Sequence, residues 1–268
     1  MSDKLSYKTF EERFIYYSGK YCIDFTNSTI QNFYIFTEYL LEENAKYNLT
    51  SITEPDGIIV KHYIDSIAVL KHFDIPENSS IIDIGAGAGF PSVPIHIMRD
   101  DLHITYLDSS AKKINFIKSA LDKLDKASDA GKNIFIKGRA EEAGKDAIFR
   151  EQYDFTVSRA VARLNILCEL AVPLIKPGGY FIAYKSKNAG EEIEEAKSVF
   201  KLLNLEIAEV AEFDISLKID GEDNINNINS INNINNVENK RTLIKIKKLN
   251  KTPSKYPRNF SNITKNPL

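Results

Sequence analysis

Asp83, Gly85, Gly87 and Gly89 lie within the run Ser80-Ile81-Ile82-Asp83-Ile84-Gly85-Ala86-Gly87-Ala88-Gly89-Phe90-Pro91. Glycines placed after a short apolar run let the backbone turn tightly and approach a ligand without interference from a Cβ. Pro91 is placed to open a helix, whose free N–H groups suit an anion or a polar cofactor group. Asp108 ends the next apolar run, where a carboxylate can accept hydrogen bonds from both hydroxyls of a ribose. Beside Ser109 and Ser110 it could equally serve as a turn residue or helix cap. Ala140 and Glu141 follow a third apolar run, where an apolar contact and a backbone N–H could hold an adenine ring. Arg159 follows a fourth run and Lys185 a fifth, so both are candidates for positioning an anionic substrate.

These residues need a common scaffold, and the chain supplies one by alternating strand and helix. Strands are expected at residues 80–84, 103–107, 133–137, 153–157, 180–184, 205–215 and 241–249. Helices are expected between most of the first six, including single helices over 164–175 and 189–203. Such alternation implies a doubly wound α/β sheet, mainly parallel, with ligands at the carboxyl ends of the strands. The last two strands lack an intervening helix and should form an antiparallel hairpin. Residues 7–73 read as a helical extension, with Ser28 as a cap and a further helix over 55–70. In that helix His62 has no second His or Cys at metal spacing, so it reads as a hydrogen-bonded core or interface residue packed against the glycine loop. The glycine spacing bears on the cofactor. A dinucleotide fingerprint is G-x-G-x-x-G, whereas here an acid precedes G-x-G-x-G, which resembles motif I of S-adenosylmethionine (SAM) methyltransferases.

The whole chain bounds the reading further. Its 268 residues, 43% hydrophobic and 27% charged, suit a globular protein without metal or membrane span. Two cysteines and no apolar leader lead us to expect a cytoplasmic location. The net charge of −2 hides an asymmetry, for nine basic residues and no acid lie between Lys240 and Leu268, leaving −11 on residues 1–239. Residues 251–268 therefore read as a basic tail on a core domain of 74–250. In the last strand Ile244 and Ile246 should face the core and Lys245 and Lys247 the solvent. With Lys251, Lys255 and Arg258 these are candidate phosphate contacts, extended by Lys248. Within 219–240, residues 223–236 form a low-complexity Asn/Ile run that reads as a mobile insertion.

Taken together, the motifs resemble the small-subunit ribosomal RNA methyltransferase G family, formerly called glucose-inhibited division protein B. The matching pieces are Asn48-Leu49-Thr50, Lys61-His62-Tyr63-Ile64-Asp65-Ser66, the glycine run through Pro91, and Leu107-Asp108-Ser109. Further pieces are Arg139-Ala140-Glu141-Glu142, Ser158-Arg159-Ala160 and Tyr256-Pro257-Arg258. The resemblance implies a seven-stranded, Rossmann-like SAM-dependent fold and methylation of guanine N7 in 16S rRNA. It maps the family's cofactor positions onto Gly85, Phe90, Ala140, Glu141 and Arg159, and its partner would be 16S rRNA or the small subunit, met by a monomer. Ser92 stands where the family commonly has Gly, and the Asn/Ile run has no family counterpart.

The residue inventory agrees with that chemistry. Guanine N7 carries an in-plane lone pair and no proton at neutral pH, so alignment and desolvation can carry the reaction. Cys168 follows Leu167 inside a helix, unlike a nucleophile for cytosine C5. Ser158-Arg159-Ala160-Val161 replaces the (Asp/Asn)-Pro-Pro-(Tyr/Phe) motif of exocyclic-amine enzymes. No acid or base is therefore assigned. The alternatives are a small-molecule methyltransferase, a non-catalytic RNA-binding protein on the same fold, and an NAD-dependent oxidoreductase, the last disfavoured by the glycine spacing.

Overall fold

Strand β1 (Ser80–Ile84) is a β-branched run with four of its five residues buried, as a strand covered on both faces requires. The computed structural model, which describes residues 5–124, 133–215 and 239–268, places it near the middle of a seven-stranded sheet ordered β3-β2-β1-β4-β5-β7-β6. It pairs in parallel with β2 (His103–Asp108) and β4 (Tyr153–Arg159). β3 (Asn133–Lys137) extends the parallel sheet beyond β2, and β5 (Ile175–Lys185) extends it beyond β4. β7 (Lys240–Lys248) lies antiparallel between β5 and β6 (Leu205–Asp214), so the expected hairpin is present and β6 forms the edge.

Helices cover both faces. One face carries α1 (Tyr7–Lys20), α2 (Asn27–Tyr47), α3 (Pro55–Gly57), a π-helical turn (Ile58–Ile64), α4 (Asp65–His72), α5 (Ser92–Met98) and α6 (Ala111–Lys123). Phe36 of α2 lies 5.7 Å from Phe90 and 6.2 Å from Phe116, so the N-terminal helices share this core. The other face carries α7 (Ala140–Ala143), α8 (Leu164–Ala171), α9 (Ala189–Glu195), α10 (Lys197–Leu203) and α11 (Phe260–Lys265).

Several local expectations are corrected. Thr26, not Ser28, caps α2, its hydroxyl accepting from Thr29 N at 3.2 Å. The helix over 55–70 contains the π turn and is buried almost all round, which absorbs the polar His62 and Asp65 into the interior. The helix begun at Leu164 stops at Ala171; Pro173 has no N–H to continue it, and Ile175 already belongs to β5. The stretch 189–203 divides into α9 and α10 at Ala196. Pro91 is the cap of α5, and Ser92 is its first residue. The run 223–236 lies outside the described residues.

The largest correction concerns β7. Its Ile244 and Ile246 do face a core, but Lys245 is buried too, because the opposite face of the sheet is also covered. Lys245 Nζ pairs with Glu209 at 2.7 Å and lies over the rings of Tyr180 and Phe73 at 4.8 and 5.4 Å. Lys248 is fully buried, donating to Glu151 Oε1 at 2.7 Å and to the carbonyls of Val172 and Ile175 at 3.1 and 2.7 Å. Neither lysine extends an outer positive surface. Burial lowers the Lys248 pKa even though the Glu151 pair opposes it. Replacing Lys248 by Met leaves two buried carbonyls and a half-buried carboxylate short of a partner. The expected loss is roughly 2–4 kcal/mol in urea unfolding; wild-type stability would show that this ammonium is not structural.

Candidate cofactor and substrate clefts

The turn after β1 is pinned to β2 before any ligand is considered. Gly85 N and Ala86 N both donate to Leu107 O, at 2.8 and 3.0 Å, and Gly87 N donates to Asp108 Oδ2 at 3.0 Å. Asp108 Oδ1 accepts from Ser110 N at 2.8 Å, so the turn role is real, and lone pairs on the same carboxylate remain for a ligand. Gly85, Gly87 and Gly89 all have left-handed φ, of 73°, 59° and 86°. Their reasons differ. A Cβ on Gly85 would meet Val161 Cγ2 at 2.6 Å, and one on Gly89 would meet Val93 Cγ2 at 2.5 Å. These two are glycine because the protein packs there. Only Gly87 faces open space, its nearest heavy atom being Gly85 O at 3.8 Å.

The glycine turn, Phe90 and Asp108 form one wall of a cleft of about 480 Å³, with Leu49, Thr50 and Lys113 also lining it. A second cleft of about 640 Å³ opens at the carboxyl ends of β4 and β5. His62, Arg159 and Ala160 line both. This junction lies where strand order reverses between β1 and β4, the switch point at which open α/β sheets bind ligands. Ala160 adopts φ 58°, a left-handed conformation that costs a non-glycine residue roughly 1–3 kcal/mol and occurs preferentially at functional sites.

His62 meets the expectation of a hydrogen-bonded residue packed on the glycine loop. Its ring stacks on Phe90 at 4.3 Å with 14° between planes. Its Nδ1 is 3.2 Å from Arg159 Nη2, and its Nε2 is 2.8 Å from Thr50 Oγ1. A guanidinium can only donate, so Nδ1 accepts, and a neutral ring carries its proton on Nε2. Burial, and secondarily the Arg159 charge, push the His62 pKa down to about 3. Arg159 Nη1 donates to Asp65 Oδ2 at 3.0 Å and to Lys61 O at 3.1 Å, and its guanidinium lies 5.1 Å from the Phe90 ring. Lys185 Nζ donates to Ala162 O and pairs with Glu192, both at 2.7 Å.

Other candidates fall elsewhere. Ala140 and Glu141 begin α7 beyond β3 and do not line the first cleft; Glu141 is buried, with Arg139 at 3.8 Å. Arg258 forks onto buried Glu169, with Nε and Nη2 at 2.8 and 2.6 Å from its two oxygens, and so is tied into the fold like Lys245. Lys247 pairs in register with Tyr180, far from the Lys185 end of β5, while Lys251 and Lys255 are exposed. Sequence reasoning missed Lys61, Asp65 and Arg241 as cleft residues. The polar cluster after Lys61 was a signal, but Arg241 is brought there only by the pairing of β7 with β5.

The first cleft suits a cationic nucleoside cofactor. Asp83, beneath the glycine turn, is fully buried; its Oδ2 accepts from Ser92 Oγ at 2.5 Å, while Oδ1 has no hydrogen-bond partner among the described residues. Burial raises its pKa to about 7, and a nearby positive group would favour the carboxylate. The departure at Ser92 thus supplies a donor to this carboxylate. Among the described residues no group of His, Cys, Asp and Glu gathers as metal ligands, and no helix is long and apolar enough to cross a membrane.

His62 and Asp83 act oppositely on stability. His62 titrates lower folded than its ordinary 6.5, so its contribution is complete above that pH and is lost as pH falls towards about 3. Asp83 is raised from 3.8, so its contribution is complete below that pH and is lost as pH rises through about 7. Asp83→Asn removes the second dependence alone. The variant is expected to gain on wild type by about 1.4 kcal/mol per pH unit between about pH 4 and pH 7 in urea unfolding. A difference independent of pH would overturn the assignment.

The family model described as rRNA small subunit methyltransferase G matches residues 29–218. A protein named Ribosomal RNA small subunit methyltransferase G from Thermoanaerobacter sp. (strain X514) is 41% identical over 239 residues, 89% of this chain and 90% of its own. The protein of that name from Lysinibacillus sphaericus (strain C3-41) is 38% identical over 258 residues, 96% of this chain and 99% of its own. One from Clostridium botulinum (strain ATCC 19397 / Type A) is 39% identical over 247 residues, 92% and 93% of the two chains. With the sheet, the glycine turn and the paired clefts in place, these likenesses make the chain a member of the rRNA small subunit methyltransferase G family.

Proposed function

We propose that this protein methylates N7 of a guanine in 16S rRNA of the small ribosomal subunit, by in-line transfer without a general base. The observation that carries this reading is the shared edge of the two clefts, where His62, Arg159 and Ala160 border both. A target base entering the second cleft would meet a cofactor in the first across that edge. S-adenosylmethionine, when bound, supplies a methyl group already activated on a sulfonium.

The protein's own groups at the edge fit alignment better than proton transfer. His62 is neutral, and both ring nitrogens are hydrogen-bonded. Arg159 is held by Asp65 and the Lys61 carbonyl, so it stiffens the edge. A neutral imidazole also avoids adding positive charge beside a purine that becomes cationic as N7 is alkylated. Gly87 leaves room for the cofactor, and Asp108 would accept from ribose hydroxyls with the lone pairs left by Gly87 N and Ser110 N. Ala140 and Glu141 would lie toward the adenine end. Cys168 is fully buried in α8 and its thiol is raised well above the ordinary range, which does not suit a covalent mechanism. Outside the clefts, exposed Lys251 and Lys255, with half-buried Lys247, would lend weaker, screened attraction to RNA.

Mapping N7-methylguanine in 16S rRNA from cells with and without this protein tests the reading directly. One modified guanine should disappear with the gene and return on its replacement; an unchanged map would refute the assignment. In single-turnover reactions the transfer rate is expected to change less than about threefold between pH 6.5 and 8.5, because N7 needs no deprotonation. A tenfold rise per pH unit would mean that a base is involved.

A further inference from the structure

We infer that the second cleft grips two phosphates of the RNA strand, one through Lys61 and one through Lys187, in a positive field fixed by Arg159 and Arg241. The inference rests on the RNA reading above and names the part of the site that would hold the backbone rather than the base. It starts from charge. Residues 1–239 carry −11, yet the lining of this cleft carries five cationic residues and two carboxylates. Both carboxylates are committed within the protein. Buried Asp65 is shared, Oδ2 with Arg159 at 3.0 Å and Oδ1 with Arg241 Nε at 3.2 Å. Glu192 takes Lys185 Nζ and Leu164 N, both at 2.7 Å.

Lys61 and Lys187 are left with no carboxylate partner among the described residues. Lys187 is exposed and Lys61 half-buried, one from the loop after β5 and one from the π turn on the other side of the cleft. Two lysines in that position are available to an external anion. The arginines flanking them have side chains only 13% and 19% exposed, so their charge is desolvated and screened less than that of a surface residue. The tail lysines lack this setting. Lys247 pairs with Tyr180, whereas Thr242, next to Arg241, pairs with Lys185 at the cleft end of β5. The same antiparallel strand thus delivers its arginine to the cleft and Lys247 to the opposite end of the sheet.

The test is affinity for a single-stranded 16S rRNA fragment across a salt series, for wild type and Lys61→Gln/Lys187→Gln. Two lost phosphate contacts should flatten the slope of log K against log salt by about 1.4. RNA affinity at low salt should fall at least tenfold, while SAM affinity by calorimetry stays within twofold, because neither lysine lines the first cleft. Parallel salt lines for the two proteins would overturn the inference, as would an equal loss of SAM affinity, which would mark general distortion. Transfer of methyl groups to 16S rRNA by the wild type separates this from the functional reading. If transfer occurs and the salt lines are parallel, the phosphate grip alone fails. If the lines differ but no N7-methylguanine forms, the grip stands and the N7 assignment falls.

Discussion

Asp65 is the carboxylate on which the second cleft depends. It is 5% exposed and lies where the π turn passes into α4. Its two oxygens hold Arg159 from the end of β4 and Arg241 from the start of β7. Three distant parts of the chain therefore meet on one buried group. A buried ion pair contributes little net stability, since desolvation offsets most of the attraction, but it fixes geometry strongly because an unpaired buried charge is costly. The position of Arg159 in turn orients His62, and the His62 ring lies flat on Phe90 of the glycine turn. The two clefts are thus coupled mechanically through a short series of contacts.

Charge in this protein follows a second constraint, that both faces of the sheet are covered. Wherever a cation falls inside, it is paired or laid on a ring. Lys245 lies between Glu209 and two aromatic rings, Lys248 is surrounded by oxygen atoms, and Arg258 forks onto Glu169. These residues join β7 and the C-terminal segment to the core. Arg150 does the same from the other side, donating to the carbonyls of Gly144, Thr252 and Tyr256. Much of the basic character of residues 240–268 is therefore internal, which shifts the available positive field from the tail to the second cleft.

The edge between the clefts combines rigidity with chemical passivity. Neutral His62 cannot give up a proton readily and would not take one at physiological pH. Arg159 has no acceptor atom, and the nearest cysteine of the second core layer is buried. For a reaction whose nucleophile is already a free lone pair, such an edge has the useful property of holding shape while interfering little.

What the sequence determined by itself was whatever depends on neighbours along the chain. The β1 run, the glycine turn, Asp108 at the end of β2, the alternation of strand and helix and the final hairpin all follow from local pattern. So did the place of Arg159 and Lys185 at strand ends, because the carboxyl ends of parallel strands lie on one side. Partners across the sheet were not legible. The alternation Ile244-Lys245-Ile246-Lys247 has the period of a strand with one wet face, and only the tertiary structure adds the N-terminal helices that make the second face dry. Likewise, Gly85 read as a point of approach for a ligand, yet the atom that forbids its Cβ belongs to Val161, from the loop after β4. Arg241 could not be assigned to the cleft before the strand order placed β7 beside β5. Local periodicity specifies which elements form; which side chains meet depends on the sheet order and on what covers each face, and those are settled only when the whole chain packs.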